Sequence, residues 1–221
     1  LEFRRVLFRS GWLRSSDTAD AVTYAARNGA KIINMSLGGP QLSEAERAAI
    51  NTAVSTFGAI IVAAAGNENT TPVAYPARLS NVIAVGASGH VNTKGRAPFS
   101  NWGAGTASNR NVDVVAPGVD IVSTAVRSVA DEMNGSGPAG SAGYSSAAGT
   151  SFSAPLVSGV VGLMLSRNPA LTVEQVRSIL TGTATPLGDD PGDSPNAGAG
   201  WAGAGMMNAF ARSDEHTSEL Q

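Results

Sequence analysis

The run Gly149-Thr150-Ser151-Phe152-Ser153-Ala154-Pro155-Leu156-Val157-Ser158-Gly159 decides how the rest of the chain reads. A Gly/Ser-rich segment, Gly135 to Ala148, leads into it, and an apolar run, Leu156 to Leu165, leads out. The pattern predicts a helix over Pro155 to Ser166, entered through a small-residue turn that carries hydroxyls. The first N–H groups of a helix lack intrahelical acceptors and carry partial positive charge. An alcohol at that point suits nucleophilic attack, because the same N–H groups stabilise an oxyanion forming beside it. Thr150 or Ser151 equally suits a plain N-cap.

Upstream, apolar runs alternate with helical patterns. Thr18 to Asn28 reads as a helix with Asp17 as its N-cap and Gly29 at its end. Leu42 to Thr56 reads as another, with Ser43 and Glu46 at capping-box spacing. Lys31 to Ser36, Gly58 to Ala64 and Asn81 to Val85 read as buried strands, and Val112 to Val115 and Ile121 to Ala125 as shorter ones. Val173 to Leu180 reads as a late helix capped by Thr172. Helices between continuously apolar strands imply an α/β fold with a mainly parallel sheet covered on both faces. Ligands of such sheets sit at the carboxyl ends of strands. Two of those ends are distinctive: Ser36-Leu37-Gly38-Gly39-Pro40 and Ala63-Ala64-Ala65-Gly66-Asn67-Glu68-Asn69.

Composition narrows the function classes. Charged residues make up 14% of the 221, with a net charge of −2, so no basic surface points to nucleic acid. No apolar run reaches the length of a membrane span. The absence of cysteine excludes a thiol nucleophile, a disulfide framework and a thiolate metal site.

The combination resembles the subtilisin-like serine peptidases. Gly149-Thr150-Ser151 with Pro155 and Gly159 is similar to their nucleophile motif. Asn34-Met35-Ser36-Leu37-Gly38-Gly39 is similar to their substrate-binding strand, and Ala63 to Asn67 to the segment bearing the oxyanion-hole asparagine and a wall of the specificity pocket. Tyr75-Pro76-Ala77 with Asn81 to Ala87 is similar to the opposite wall, and Gly203 to Ala209 to the closing turn and helix. Phe99 to Gly103 and Val112 to Gly118 also match, as structural segments. The matches run in family order from about Ala19 to Ala209.

The resemblance implies the three-layer subtilisin-like fold without its N-terminal part. It implies an endopeptidase that hydrolyses peptide bonds through an acyl-enzyme on Ser151, with the Asn67 carboxamide and the Ser151 N–H binding the oxyanion. In subtilisin itself such a donor is worth about 10²–10³ in kcat, a magnitude that belongs to that enzyme. Ser36, Leu37, Gly38, Ala64, Ala65, Gly66 and Thr150 are the expected substrate-binding residues. Ala64, Ala65 and Gly66 leave room for a side chain, and Ala74 narrows the pocket floor, so medium to large uncharged side chains are expected at the cleavage position. The chemistry requires no cofactor and no metal. A structural calcium remains open: Asp113 stands where relatives can hold a weak cation, although a hydrogen-bonded or paired carboxylate suits a single Asp better. Polypeptide substrates, a monomeric intact parent and secretion are implied, with the signal peptide and pro-segment upstream.

The ends read differently. Taken backwards as antisense codons, residues 1–10 pair with residues 212–221: Ser10 (TCT) with Arg212 (AGA), Leu7 (CTC) with Glu215 (GAG), and so on to Leu1 (CTG) and Gln221 (CAG). Only Phe8 against Asp214 fails. Both ends resemble translated sequencing adapter and are set apart from the fold, leaving a partial peptidase domain over 11–211. His216 goes with them, and His90 is the remaining histidine.

The family's triad runs Asp, His, Ser in chain order. Asp17 and Asp20 lie in a predicted helix, and His90, in Gly86-Ala87-Ser88-Gly89-His90, lacks the His-Gly-Thr setting, so the triad Asp and His are expected upstream of Gly11. Without a base, Ser151 keeps the weak nucleophilicity of an alcohol. The chain is therefore expected to be an inactive fragment with an exposed sheet edge and apolar surface. Leu156 replaces a histidine that many relatives carry there, a neutral change, and Arg127 to Tyr144 reads as a long loop near the cleft. Two other readings compete: a non-catalytic relative that only grips peptides, and a nucleotide-binding domain using Gly86-Ala87-Ser88-Gly89 as its phosphate loop. The latter has the spacing of neither phosphate motif. An α/β-hydrolase is disfavoured, since Gly149 to Ser153 is not Gly-x-Ser-x-Gly.

Overall fold

The structure is a computed structural model that describes residues 14–89, 95–103, 111–124, 143–187 and 201–209. The two complementary ends, His90, Ala125 at the end of an expected strand and residues 127–142 of the long loop lie outside the described residues. Ten elements follow in order: α1 (Ser15–Arg27), β1 (Ile32–Met35), α2 (Glu44–Ser55), β2 (Ile60–Ala64), β3 (Ile83–Ser88), β4 (Val114–Pro117), β5 (Ile121–Thr124), β6 (Tyr144–Ala147), α3 (Thr150–Arg167) and α4 (Val173–Gly182).

Strands β1 to β4 form one parallel sheet in chain order, with Ile32 opposite Ile60, Val62 opposite Ile83 and Val85 opposite Val114. Successive strand residues point to opposite faces, and here both faces are covered. Ile61, Ala63 and Ala65 enter a core with α1 and α2, whereas Ile60, Val62 and Ala64 enter a second core with α3 and α4. This explains the uninterrupted apolar reading of β2, whose five residues are all buried. Burying each Ile or Val side chain contributes roughly 1.5–3 kcal/mol. Among the described residues β1 is an outer strand, and α3 exposes Leu156 and Leu163 on the solvent side. No helix among the described residues is long and apolar enough to cross a membrane.

Several expectations are corrected. The N-cap of α1 is Arg14, so Asp17 lies in the first turn, where its charge complements the helix N-terminus. The N-cap of α3 is Gly149, and neither Thr150 nor Ser151 caps it. Strand β3 continues to Ser88 and is buried throughout, which removes the phosphate-loop reading of Gly86 to Gly89. The hairpin β5–β6 turns part of the Gly/Ser-rich run into a strand paired with Ile121–Thr124. Residues 201–209 form a turn and a bridge from Met206 to Val115 and Thr185, with no helix among them. The capping boxes of α2 (Ser43, Glu46) and α4 (Thr172, Gln175) form as the spacing suggests.

Candidate active site

The start of α3 is held against the end of β2. Gly149 enters the helix at φ 150°, ψ 154°, and its N–H donates to the Gly118 carbonyl at 2.8 Å. A Cβ at that φ is strained, which accounts for glycine there. Thr150 is fully buried. Its N–H donates to Asn67 Oδ1 at 2.8 Å, and its hydroxyl donates to the same oxygen at 3.0 Å while accepting the Gly66 N–H at 3.2 Å. These bonds spend the acceptor end of the Asn67 carboxamide. Its Nδ2 group and the Ser151 N–H find no acceptor among the described residues. Two donors therefore stand at one helix mouth, on an exposed residue and a half-buried one, each 3.7 Å from where a Cβ on Gly149 would sit.

Ser151 is tied to the end of β1 in both directions. Its Oγ donates to the Ser36 carbonyl at 3.3 Å, and Ser36 Oγ donates to the Ser151 carbonyl at 2.7 Å. The second bond has a sequence cause. Pro155, four residues on, lies inside α3 and has no N–H to offer that carbonyl. The Ser36 hydroxyl takes the vacant place, and is itself held by Asn34 Nδ2 at 2.8 Å. Asn34 Oδ1 in turn accepts from Ser158 Oγ at 3.0 Å.

Beside Ser151, three segments join into a wall. Gly39 and Tyr75 exchange backbone bonds at 3.0 and 2.9 Å, and the Ala74 N–H donates to the Ala65 carbonyl at 2.8 Å. A Cβ on Gly38 would sit 2.7 Å from the Tyr75 carbonyl oxygen, so only glycine passes there. Ser36 and Leu37 are half-buried and Gly38 exposed, so this run borders solvent. Ala65 does not: its side chain has no exposure and belongs to the α1/α2 core, so it lines no cleft and contributes through its carbonyl. Ala64, at 4% exposure, likewise turns its methyl into the α3/α4 core. Gly66 alone of that trio is partly open.

The remaining candidates separate cleanly. Asp17 and Asp20 sit on α1, whose core lies across the sheet from α3. Asp113 is paired: Oδ2 accepts the Ala84 N–H at 2.8 Å and Oδ1 lies 3.3 Å from Arg177 Nε. No histidine stands among the described residues. No group of three or more His, Cys, Asp or Glu side chains gathers among them either. Sequence reading missed Asn34 and Ser158, and it also missed Asn101, which holds the loop that carries Asn67. All three lie inside segments matched above, but the matches give none of them an individual role, because their partners lie up to 124 residues away.

Comparison with known proteins gives a consistent picture. The family described as "Subtilase family" matches residues 3–201, a span that includes most of the N-terminal end set apart above. The chain is 37% identical over 207 residues to the M-protease of Shouchella clausii, covering 94% of this chain and 46% of that protein. It is likewise 37% identical to Subtilisin Savinase of Lederbergia lenta, covering 65% of it. Among solved structures, a protease of Pseudoalteromonas arctica aligns with a TM-score of 0.73 and 31% identity, over 94% of this chain and 60% of the other. The chain thus spans between about half and two thirds of the length of these relatives.

Proposed function

The chain belongs to the subtilase family, and on that premise we propose that it carries the nucleophile and oxyanion donors of a serine endopeptidase. Ser151 attacks the carbonyl carbon of a peptide bond, and the carbonyl oxygen, as it gains charge, moves between the Ser151 N–H and Asn67 Nδ2. The observation that carries this reading is the bond from the Thr150 N–H to Asn67 Oδ1. It turns the carboxamide so that its donors, and not its acceptor, are free beside Ser151. Ser36 to Gly38 offer backbone groups to an extended peptide by strand addition. The wall of Gly66, Ala74 and Tyr75 receives a medium to large uncharged side chain.

In this reading the base that takes the Ser151 proton is a histidine, oriented by an aspartate, neither of which the chain contains. The partial domain spans 11–211, His90 takes no part in the chemistry, and the intact parent is a secreted monomer acting on polypeptides. The chemistry needs no cofactor, and calcium serves structure if it is bound.

A serine-directed fluorophosphonate tests the assignment. The chain alone is expected to label slowly, at Ser151, with labelling abolished by Ser151→Ala. Efficient labelling of the chain alone would overturn the absence of a base. Labelling that survives Ser151→Ala would overturn the peptidase assignment itself.

A further inference from the structure

The Asn67 carboxamide is only as well placed as the loop that carries it, and that loop is fastened in an unusual way. Five consecutive N–H groups, from Gly66 to Thr70, each reach a named acceptor. Gly66 N–H reaches Thr150 Oγ1 at 3.2 Å and Asn67 N–H reaches Glu68 Oε2 at 3.0 Å. Glu68 N–H and Thr70 N–H both reach Asn101 Oδ1, at 3.0 and 3.1 Å. Asn69 N–H reaches the Phe99 carbonyl at 2.8 Å. The hub is Asn101. It is 2% exposed. Its Nδ2 donates to Glu68 Oε2 at 2.6 Å, the same oxygen that holds the Asn67 N–H. Its own N–H donates to the Gly66 carbonyl at 3.0 Å. The Asn101 carboxamide therefore fixes Glu68 and Thr70 on one side of Asn67 and, through Glu68 Oε2, the backbone of Asn67 itself, while the Asn101 backbone N–H holds Gly66 on the other side.

We infer that Asn101 is a positioning residue for the oxyanion donor, acting through Glu68 on the aim of the Asn67 carboxamide. The inference rests on the reading of Asn67 given under Proposed function. The chemistry of the hub is specific. An amide is needed, because Asn101 must accept two N–H bonds with one end and donate to a carboxylate with the other. Aspartate keeps the acceptor but sets a carboxylate against the Glu68 carboxylate. Alanine removes all three side-chain bonds. A hydrogen-bond donor that is free to wander adds little to an oxyanion, since its value lies in being aimed before charge develops.

Hydrolysis of a peptidyl p-nitrophenyl ester by the full 221-residue chain reads this out. The good leaving group needs no acid. Serine proteases stripped of a triad member keep roughly 10³–10⁴-fold catalysis over water from the oxyanion hole and binding. Asn67→Ala is expected to lower kcat by about tenfold or more, and Asn101→Ala to lower it to a similar level with KM unchanged. The two together should fall no further than Asn67→Ala alone, because a positioning residue has nothing left to position. Asn101→Asp should behave like Asn101→Ala. Glu68 is exposed, so its variants carry the test if Asn101→Ala fails to fold. Glu68→Ala should lower kcat, and Glu68→Gln, whose oxygen accepts the same two bonds, should restore most of it. The inference is overturned if Asn101→Ala and Glu68→Ala leave kcat intact, raise KM instead, or cost as much without the Asn67 side chain as with it. A different result sinks the peptidase reading: hydrolysis no faster than in water, or undiminished by Asn67→Ala, would remove the oxyanion role and this inference with it.

Discussion

Ser151 stands between two neighbours that are fastened in opposite ways. On one side, loop 66–70 is anchored on buried groups: Asn101 is 2% exposed, and Thr150 has no exposure at all. On the other, Ser36 is held by Asn34, an exposed residue of an outer strand, which is held in turn by the half-buried Ser158 of α3. The loop side has more hydrogen bonds, and the two sets also differ in kind. A bond shielded from water is electrostatically stronger, and leaving its partner unmade is costly. A bond in reach of water is readily exchanged for one to solvent. In the proposed peptidase reading, the oxyanion side is therefore built to be stiff, and the nucleophile side to adjust as substrate arrives.

The sharpest way to break that contrast is to overfill the stiff side. Gly66 has φ +106°, and a Cβ there would sit 2.7 Å from Glu68 Oε2 and against Asn101 Nδ2. Backbone strain and overpacking each cost about 1–3 kcal/mol, so Gly66→Ala is expected to lose roughly 2–5 kcal/mol in urea unfolding. Gly39, on the adjustable side, has open space at its Cβ and no positive φ. Gly39→Ala should shift stability by less than about 1 kcal/mol, and in the stabilising direction through the unfolded chain. Equal losses at the two glycines would erase the distinction.

A second perturbation asks whether the stiffness is local. The Asp113–Arg177 pair joins the approach to β4 to α4, with side-chain exposures of 9% and 22%. Removing one partner of a fully buried pair costs about 3–5 kcal/mol. Partial exposure of Arg177 reduces this, so Asp113→Ala is expected to cost roughly 2–3 kcal/mol by thermal or urea unfolding. Ester hydrolysis per folded molecule should not change. A fall in that rate would mean that the oxyanion loop draws its rigidity from the whole sheet, and not from Asn101. On the adjustable side the effects shrink. Ser36→Ala removes the bond to the Ser151 carbonyl and should cost about 1 kcal/mol, the ordinary net worth of such a bond, with water replacing it.

These cases also show which parts of the molecule can be read from the chain alone. The doubly covered parallel sheet was legible because β2 and β3 are unbroken apolar runs. The caps of α2 and α4 were legible because both halves of each capping box lie within three residues. Asn67 and Ser151 stood out because each sits in a short contiguous pattern. Asn101 did not, because a buried amide announces itself only through partners 31 to 33 residues away. The start of β4 was misplaced by two residues for a related reason. Asp113 pairs with Ala84 through its carboxylate as well as its N–H, so its pairing mixes side chain and backbone where a ladder was expected. Strand β6 was hidden by composition: Tyr144-Ser145-Ser146-Ala147 has little β-propensity, and pairing with β5 overrides it.

The start of α3 was the most instructive miss, and it carries the finest test of the contrast. The apolar run led to an expected helix over Pro155 to Ser166, and proline is ordinarily favoured in a first turn. The helix begins five residues earlier. A proline at that depth ordinarily costs about 3 kcal/mol, partly because the carbonyl four residues back loses its partner. Here the Ser36 hydroxyl supplies one from outside the helix, at 2.7 Å. Pro155→Ala would return an N–H to the Ser151 carbonyl and set it in competition with Ser36. The substitution should therefore change stability by no more than about 1 kcal/mol, well short of the usual proline penalty. Ser36→Ala should then cost about half as much in the Pro155→Ala background as in the native chain, a coupling near 0.5 kcal/mol in a double-mutant cycle. A gain near the full proline penalty, with the cost of Ser36→Ala unchanged, would show that the hydroxyl does not stand in for the missing N–H. The adjustable side of Ser151 would then be merely loose.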